Sequence, residues 1–262
     1  MQELAISRSK ANLCLKSITM FFLSILSGIC NADFDYRFHW GRLAVAQFNL
    51  ELPTNDSQVV QVSGSTVGVV GTLFNYDGAM QSDYSDPQST LFELSGLDGS
   101  FEEHRSMRFY ADRPAKIIDF LDDEIAQPTD SLVEAMGITS DPLRIVADLA
   151  AGSAGALGTE ICRGDYSVFD GKRHYRLSLQ ELGYETLQAD RQWSYSGSSI
   201  KCEVQVTYLL AASGNEQNPW YEDREDTRII WLAEINNNIV PVRISMAGPF
   251  GRVVGRLDYS KI

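Results

Sequence analysis

Apolar side chains return at every second position through long stretches of this chain, and no other feature limits its fold as strongly. Phe34, Tyr36, Phe38, Trp40, Ala44, Ala46, Phe48 and Leu50 share one parity, while Asp35, Arg37, His39, Gln47 and Asn49 share the other. Successive side chains of a strand point to opposite faces, so the pattern predicts one long strand or a tight hairpin around Gly41. The spacing recurs in Ile200, Cys202, Val204, Val206 and Tyr208, which puts Cys202 on the core side of its strand. Further strands are expected within 58–76, 91–97, 105–110, 166–168, 175–179, 229–233, 239–246 and 253–259. Gly64, Gly68 and Gly71 mark bends or bulges within the first of these. Asn55-Asp56-Ser57, Asp83 to Gln88, Asp98-Gly99, Asn236-Asn237-Asn238 and Gly248-Pro249-Phe250-Gly251 supply turns and loops. Asp170-Gly171 predicts a two-residue turn pairing Tyr166–Val168 with the strand of Tyr175, because Gly takes positive φ freely and Asp tolerates it.

The pattern changes over residues 114–158. Asp122-Asp123-Glu124 reads as a solvated loop, since it lacks the spaced ligands and turn glycine of a calcium loop. Asp130 or Ser131 caps a short helix that reaches Met136 and ends at Gly137. Asp141-Pro142 opens a second helix, with Asp as N-cap and Pro in the first helical position. Leu143, Val146, Ala147 and Ala150 then form one apolar face. The Gly-rich run from Ala150 to Gly158 follows that helix and carries no Lys, so it reads as a C-cap and connector rather than a phosphate loop. The order is strands, a helical insert at about 115–155, then strands. It predicts one α+β domain over 33–262, an antiparallel sheet of about nine to eleven strands with two or three helices in the insert.

Residues 1–32 read as an export signal. Arg8, Lys10 and Lys16 precede the apolar run from Ile18 to Leu26, and small or polar residues lead to a cleavage site after Ala32. The run falls short of the ~20 residues that span a bilayer, which disfavours an uncleaved anchor. Ile29 before Cys30 disfavours a lipoprotein site. The expected location is the periplasm, with no membrane span after cleavage. Cys14 and Cys30 leave with the signal, so Cys162 and Cys202 remain as an even pair in an oxidising compartment. They are expected to form a disulfide, with two free buried thiols as the competing reading. Two Cys without nearby His are too few ligands for a metal.

The formal net charge of −13 excludes a phosphate-backbone partner, because such a surface repels nucleic acid. His39, His104 and His174 are scattered and expected to face solvent. There is no H-E-x-x-H or G-x-S-x-G, and no Cys with a His partner, so catalytic, cofactor and metal residues are expected to be none. Trp40, Trp193, Trp220 and Trp231 fit core packing or a ligand site. Two segments, Val67–Val70 and Ile229–Ala233, are apolar on both strand faces. A mobile helix over the sheet would therefore leave an apolar pocket lined by Leu143, Val146, Ala150 and Trp231. An ordinary dry core is the competing outcome.

A set of short pieces agrees in order and spacing with a known family: Asp141-Pro142-Leu143, Cys162, Val168 to Arg173 with Tyr175, Tyr195-Ser196-Gly197, Cys202 with Val204 and Tyr208, Trp231-Leu232-Ala233, Pro241 to Ile244, and Gly251-Arg252-Val253. In these the chain resembles the bacterial exported family called domain of unknown function 3108. The resemblance implies an exported envelope protein similar in architecture to lipoprotein carriers: a strongly curved antiparallel sheet, an open or half barrel, with the two or three helices against its concave face. It carries over no catalytic residue. The first expectation for function is a non-enzymatic protein that binds or carries a lipid, lipoprotein-like or other apolar ligand. The second is a structural or assembly factor that binds another envelope protein, and the third a hydrolase.

Overall fold

A computed structural model describes residues 33–54, 56–123, 125–152, 160–211, 228–248 and 251–262. All belong to the unit Ala32–Ile262. The expected export signal with Cys14 and Cys30, Asn55, Glu124, most of the Gly-rich connector, Trp220 and Pro249-Phe250 lie outside the described residues.

The chain first makes a seven-strand meander: β1 (Asp33–Trp40), β2 (Leu43–Glu51), β3 (Val59–Thr66), β4 (Tyr76–Asp83), β5 (Ser89–Asp98), β6 (Phe101–Tyr110) and β7 (Lys116–Asp122). A short helix α1 (Gly68–Leu73) interrupts it between β3 and β4. Two helices follow, α2 (Asp130–Met136) and α3 (Arg144–Ala150). The second meander is β8 (Gly164–Phe169), β9 (Arg173–Leu187), β10 (Gly197–Ala211), β11 (Arg228–Ile235), β12 (Asn238–Gly248) and β13 (Gly251–Leu257). The two meanders join where β1 pairs antiparallel with β13, giving one 13-stranded sheet with β7 and β8 at its edges. The sheet does not close into a barrel, because those two edges are not paired with each other.

The alternation read from the sequence sets the register. Phe34 lies opposite Leu50 and Tyr36 opposite Phe48, across a turn in which Gly41 has φ 59°. Phe34, Tyr36, Leu50, Val240, Val242 and Leu257 form the largest core, and Leu143 and Val146 bring α3 onto it. A second core of Phe92, Met107 and Phe109 receives Val133 and Met136 from α2, and Phe169 from the tip of β8. Glycines stand side by side in β3, β4 and β5 (Gly64, Gly78 and Gly96), which leaves room for the Phe48 ring over Gly64 and the Tyr76 hydroxyl over Gly78.

The gap between the edges is filled by side chains. Ser140 runs parallel to β8, with its N–H donating to Ser167 O at 2.7 Å and its carbonyl accepting from Phe169 N at 3.1 Å, so part of that edge is covered. The hairpin between β8 and β9 reaches β6 and β7. Arg105 Nη2 donates to Asp122 at 2.8 Å and to Glu103, and Lys172 Nζ stands 2.6 Å from the same Asp122 carboxylate. The Asp122 side chain is only 2% exposed. The acidic cluster expected as a solvated loop therefore supplies a buried anion, which two cations hold in place.

Other expectations need correction. Val67–Val70 is not strand: β3 stops at Thr66, and Thr66 Oγ1 accepts from Tyr76 N (2.9 Å) and donates to Phe74 O (2.6 Å), clamping both ends of the α1 excursion. Thr129, not Asp130 or Ser131, caps α2 by accepting from Leu132 N. His174 is buried rather than solvent-facing. Trp40 has core parity but is 40% exposed, as the last residue of β1, beside the Gly41 turn. Tyr259 is exposed because β13 ends at Leu257 and the chain turns into a 3-10 helix.

Candidate functional site

The segment that covers β8 delivers Asp141 into the space beside β4. Asp141 is 2% exposed, and three donors converge on its Oδ1: Ser82 Oγ at 2.6 Å, Tyr84 OH at 2.9 Å and Leu143 N at 2.9 Å. Oδ2 takes none of these bonds. The bond to Leu143 N is the capping role expected of Asp141, although the helix itself begins at Arg144. Burial pushes the Asp141 pKa up, and the three donors only partly pull it back. Burial and the neighbouring Asp141 charge also push the Tyr84 phenol well above its ordinary value, so Tyr84 keeps its proton.

Around Asp141 lies a cavity of about 750 Å³. Its walls are the β4–β5 loop, the end of β6, the 138–141 segment, one side of α3 and the start of β8. Phe109, Ile138, Ala147 and Ala150 supply apolar surface, and Tyr84, Tyr110 and Tyr166 are its aromatic residues, with Arg113 over the Tyr110 ring at 3.9 Å and Arg144 over that of Tyr84 at 5.8 Å. Its charged side chains are Asp86, Asp141, Asp148 and Asp165 against Arg144 alone. Arg144 is held by Asp148 at 2.7 Å, and Asp165 stands 3.5 Å from Arg176 outside the lining. The cavity is thus an acidic, aromatic-rimmed pocket of a size that takes a small organic molecule.

Ser167, on the cavity wall, has its Oγ 2.8 Å from His174 Nε2. Burial lowers the His174 pKa, so the ring is a neutral base. Its Nδ1 is buried with no hydrogen-bond partner, so the pair lacks the acid that orients the imidazole in a catalytic triad. Among the described residues no group of three or more His, Cys, Asp or Glu is placed to hold a metal ion. No helix among them is long and apolar enough to cross a membrane.

The sequence-derived site residues are distributed as follows. Cys162 and Cys202 form a disulfide with Cα atoms 5.6 Å apart, both fully buried beside Ile200, Leu232 and Ile239. Asp170 and Gly171 lie in the β8–β9 turn, one position off the expected frame. Asp170 N donates to Arg173 O, so the central pair is Gly171-Lys172, with φ 90° at Gly171. The Asp170 carboxylate accepts from the N–H groups of Lys172 and Arg173. Of the four residues expected around an apolar pocket, Ala150 lines the cavity. Leu143 and Val146 pack onto the sheet and Trp231 lies in the same core, while Ala150, with Ala147, borders that core and faces the cavity as well. Trp231 further donates from Nε1 to Glu185 at 3.0 Å. The sequence reading missed Ser82, Tyr84, Arg144 and Ser167, which come from β4, the loop after it, α3 and β8. Ala150 was marked in advance as pocket lining, and Asp141 only for its cap.

A family model described as a protein of unknown function (DUF3108) matches residues 34–258. No curated protein matches significantly. Among solved structures, the chain is similar to a β-barrel-like protein of domain of unknown function DUF1849 from Brucella abortus. The TM-score is 0.52 at 11% identity, over 86% of this chain and 93% of that one. At that identity the likeness concerns the fold alone.

Proposed function

The chain belongs to the DUF3108 family of proteins of unknown function, and from that premise we propose that it is an exported, non-catalytic envelope protein that holds an amphipathic cation in the cavity beside α3. The observation that carries this reading is Asp141, a buried carboxylate on the cavity wall with one oxygen saturated by three donors. Burying a carboxylate is costly unless it is matched, and a bound cation would match it. The tyrosine faces suit the same charge through cation–π attraction. Phe109, Ile138, Ala147 and Ala150 suit the apolar body of a lipid-like amine. A fatty-acid carboxylate fits poorly among four aspartates. Export is supported by the basic residues before the apolar run at 18–26. The test is mass spectrometry of the protein purified from its native envelope, with its organic extract. An N-terminus near Asp33 and a co-purifying amine that is lost from Asp141→Asn are expected. An extract identical for parent and variant contradicts the reading.

A second reading rests on the Ser167–His174 pair, which would make the protein a hydrolase. A fluorophosphonate probe that labels the parent but not Ser167→Ala would establish it; absence of labelling favours the binding role.

A further inference from the structure

Helix α1 buries none of its residues. Val69, Leu73 and the following Phe74 are 67%, 70% and 68% exposed. The helix sits on the start of β2, where Val67 N donates to Val45 O at 3.0 Å, and so lies next to the β1–β2 turn. That turn exposes Trp40 and Leu43, at 40% and 53%. A six-residue helix with no fully buried residue gains little from packing, and helices this short are not stable on propensity alone. Contiguous exposed apolar surface of this kind marks an interaction site.

Charge says what the site meets. Charged residues are 22% of the chain, which carries a net −13. Yet residues 66–75 hold no ionisable side chain, and the turn 40–43 holds only Arg42, which is exposed. These two segments therefore carry one charge, positive, on a strongly acidic protein; Arg191 adds a second cation at the Gly41 carbonyl (3.1 Å), and Asp98 stands at the far end of the excursion, opposite Tyr76. Its five large side chains, about half exposed, present roughly 500 Å² between them, less than the ~800 Å² each partner contributes to a stable protein interface. Apolar side chains with a Trp and an Arg at their border match the boundary of a bilayer, where rings and guanidinium groups sit at headgroup level.

We propose that this tip docks the protein on a zwitterionic phospholipid surface. Val69, Leu73 and Phe74 enter the apolar boundary, Trp40 lies at the headgroups, and Arg42 pairs with lipid phosphate. The net negative charge opposes approach to an anionic bilayer, so insertion rather than long-range attraction supplies the affinity. The surface is separate from the cavity, and the proposal does not rest on the function proposed above.

The test is co-sedimentation of the full chain with phosphatidylcholine vesicles, comparing the parent with the Leu73→Asp, Phe74→Asp double variant. Both carry residues 1–32, so the difference reports the tip. The variant is expected to keep the parent's circular dichroism and to partition at least tenfold less. Trp40 emission should shift to the blue with vesicles, and the shift should vanish in Trp40→Phe. Raising salt should leave partition unchanged, and adding phosphatidylglycerol should weaken it. Equal partition of parent and variant overturns the proposal, as does binding only to anionic vesicles. So does a parent that is dimeric by light scattering while the double variant is monomeric, which would assign the tip to a second copy.

Discussion

Replacing Arg105 by Met tests whether the sheet's open seam is held by charge. Met keeps most of the volume and removes the guanidinium that bridges Glu103 and Asp122. At an effective dielectric constant of ~20, unit charges 2.8 Å apart attract by about 6 kcal/mol before desolvation. Removing one member of a buried pair costs about 3–5 kcal/mol, because the other charge is left uncompensated. Lys172 remains 2.6 Å from Asp122 and takes over part of the role, which puts the expected loss near the lower end, about 3 kcal/mol. Urea unfolding at neutral pH, followed by tryptophan emission, measures it. Arg105→Met with Asp122→Asn should recover most of the loss, since the stranded anion is then gone. A loss under about 1 kcal/mol for the single variant would refute the reasoning, as surface pairs cost that little. So would a double variant less stable than the single one.

Three further outcomes follow from named contacts. Removing the disulfide as Cys162→Ala with Cys202→Ala should cost about 4 kcal/mol in urea unfolding, the chain-entropy value for a separation of 40 residues; a cost near zero would contradict it. Gly64→Ala places a Cβ 2.1 Å from Phe48 Cδ1, so its melting temperature should fall by an amount equivalent to about 1–3 kcal/mol, and Phe48→Leu should restore part of it. Asp141→Asn should be as stable as the parent or more so at neutral pH, because Asn still accepts from Ser82, Tyr84 and Leu143. The folded pKa of Asp141 is raised, so its contribution is full below the ordinary value of 3.8 and is lost as pH rises through the folded value. The stability gap in favour of Asn should therefore widen as pH rises above about 4, and a gap that narrows over that range would show the sign to be wrong.

Much of this architecture is legible because strand alternation is local. The β1–β2 register, the cysteine strand and the Asn236-Asn237 turn, with positive φ at both residues, follow from neighbours along the chain. The helical insert is equally legible from Asp141-Pro142 and Gly137. What is not legible depends on residues far apart in sequence. Asp122 reads as solvated until Arg105 and Lys172 are brought to it across the seam. Asp141 reads as a cap until β4 places Ser82 and Tyr84 on the same oxygen. The amphipathic face of α3 was read correctly as apolar, but it is divided: Leu143 and Val146 pack onto the sheet, while Ala147 and Ala150 border that core and also line the cavity. Val67–Val70 misled because apolar content on both faces is shared by a buried strand and an exposed apolar helix.

The central claim is that the cavity holds a cation at Asp141, and a pair of fluorescent amphiphiles with the same tail tests it directly. One carries an ammonium head and the other a carboxylate, and each is titrated into the parent and into Asp141→Asn. The parent should bind the ammonium probe, Asp141→Asn should bind it at least tenfold more weakly, and neither protein should prefer the carboxylate probe. Tighter binding of the carboxylate probe by the parent, or equal binding of the ammonium probe by both proteins, would contradict it.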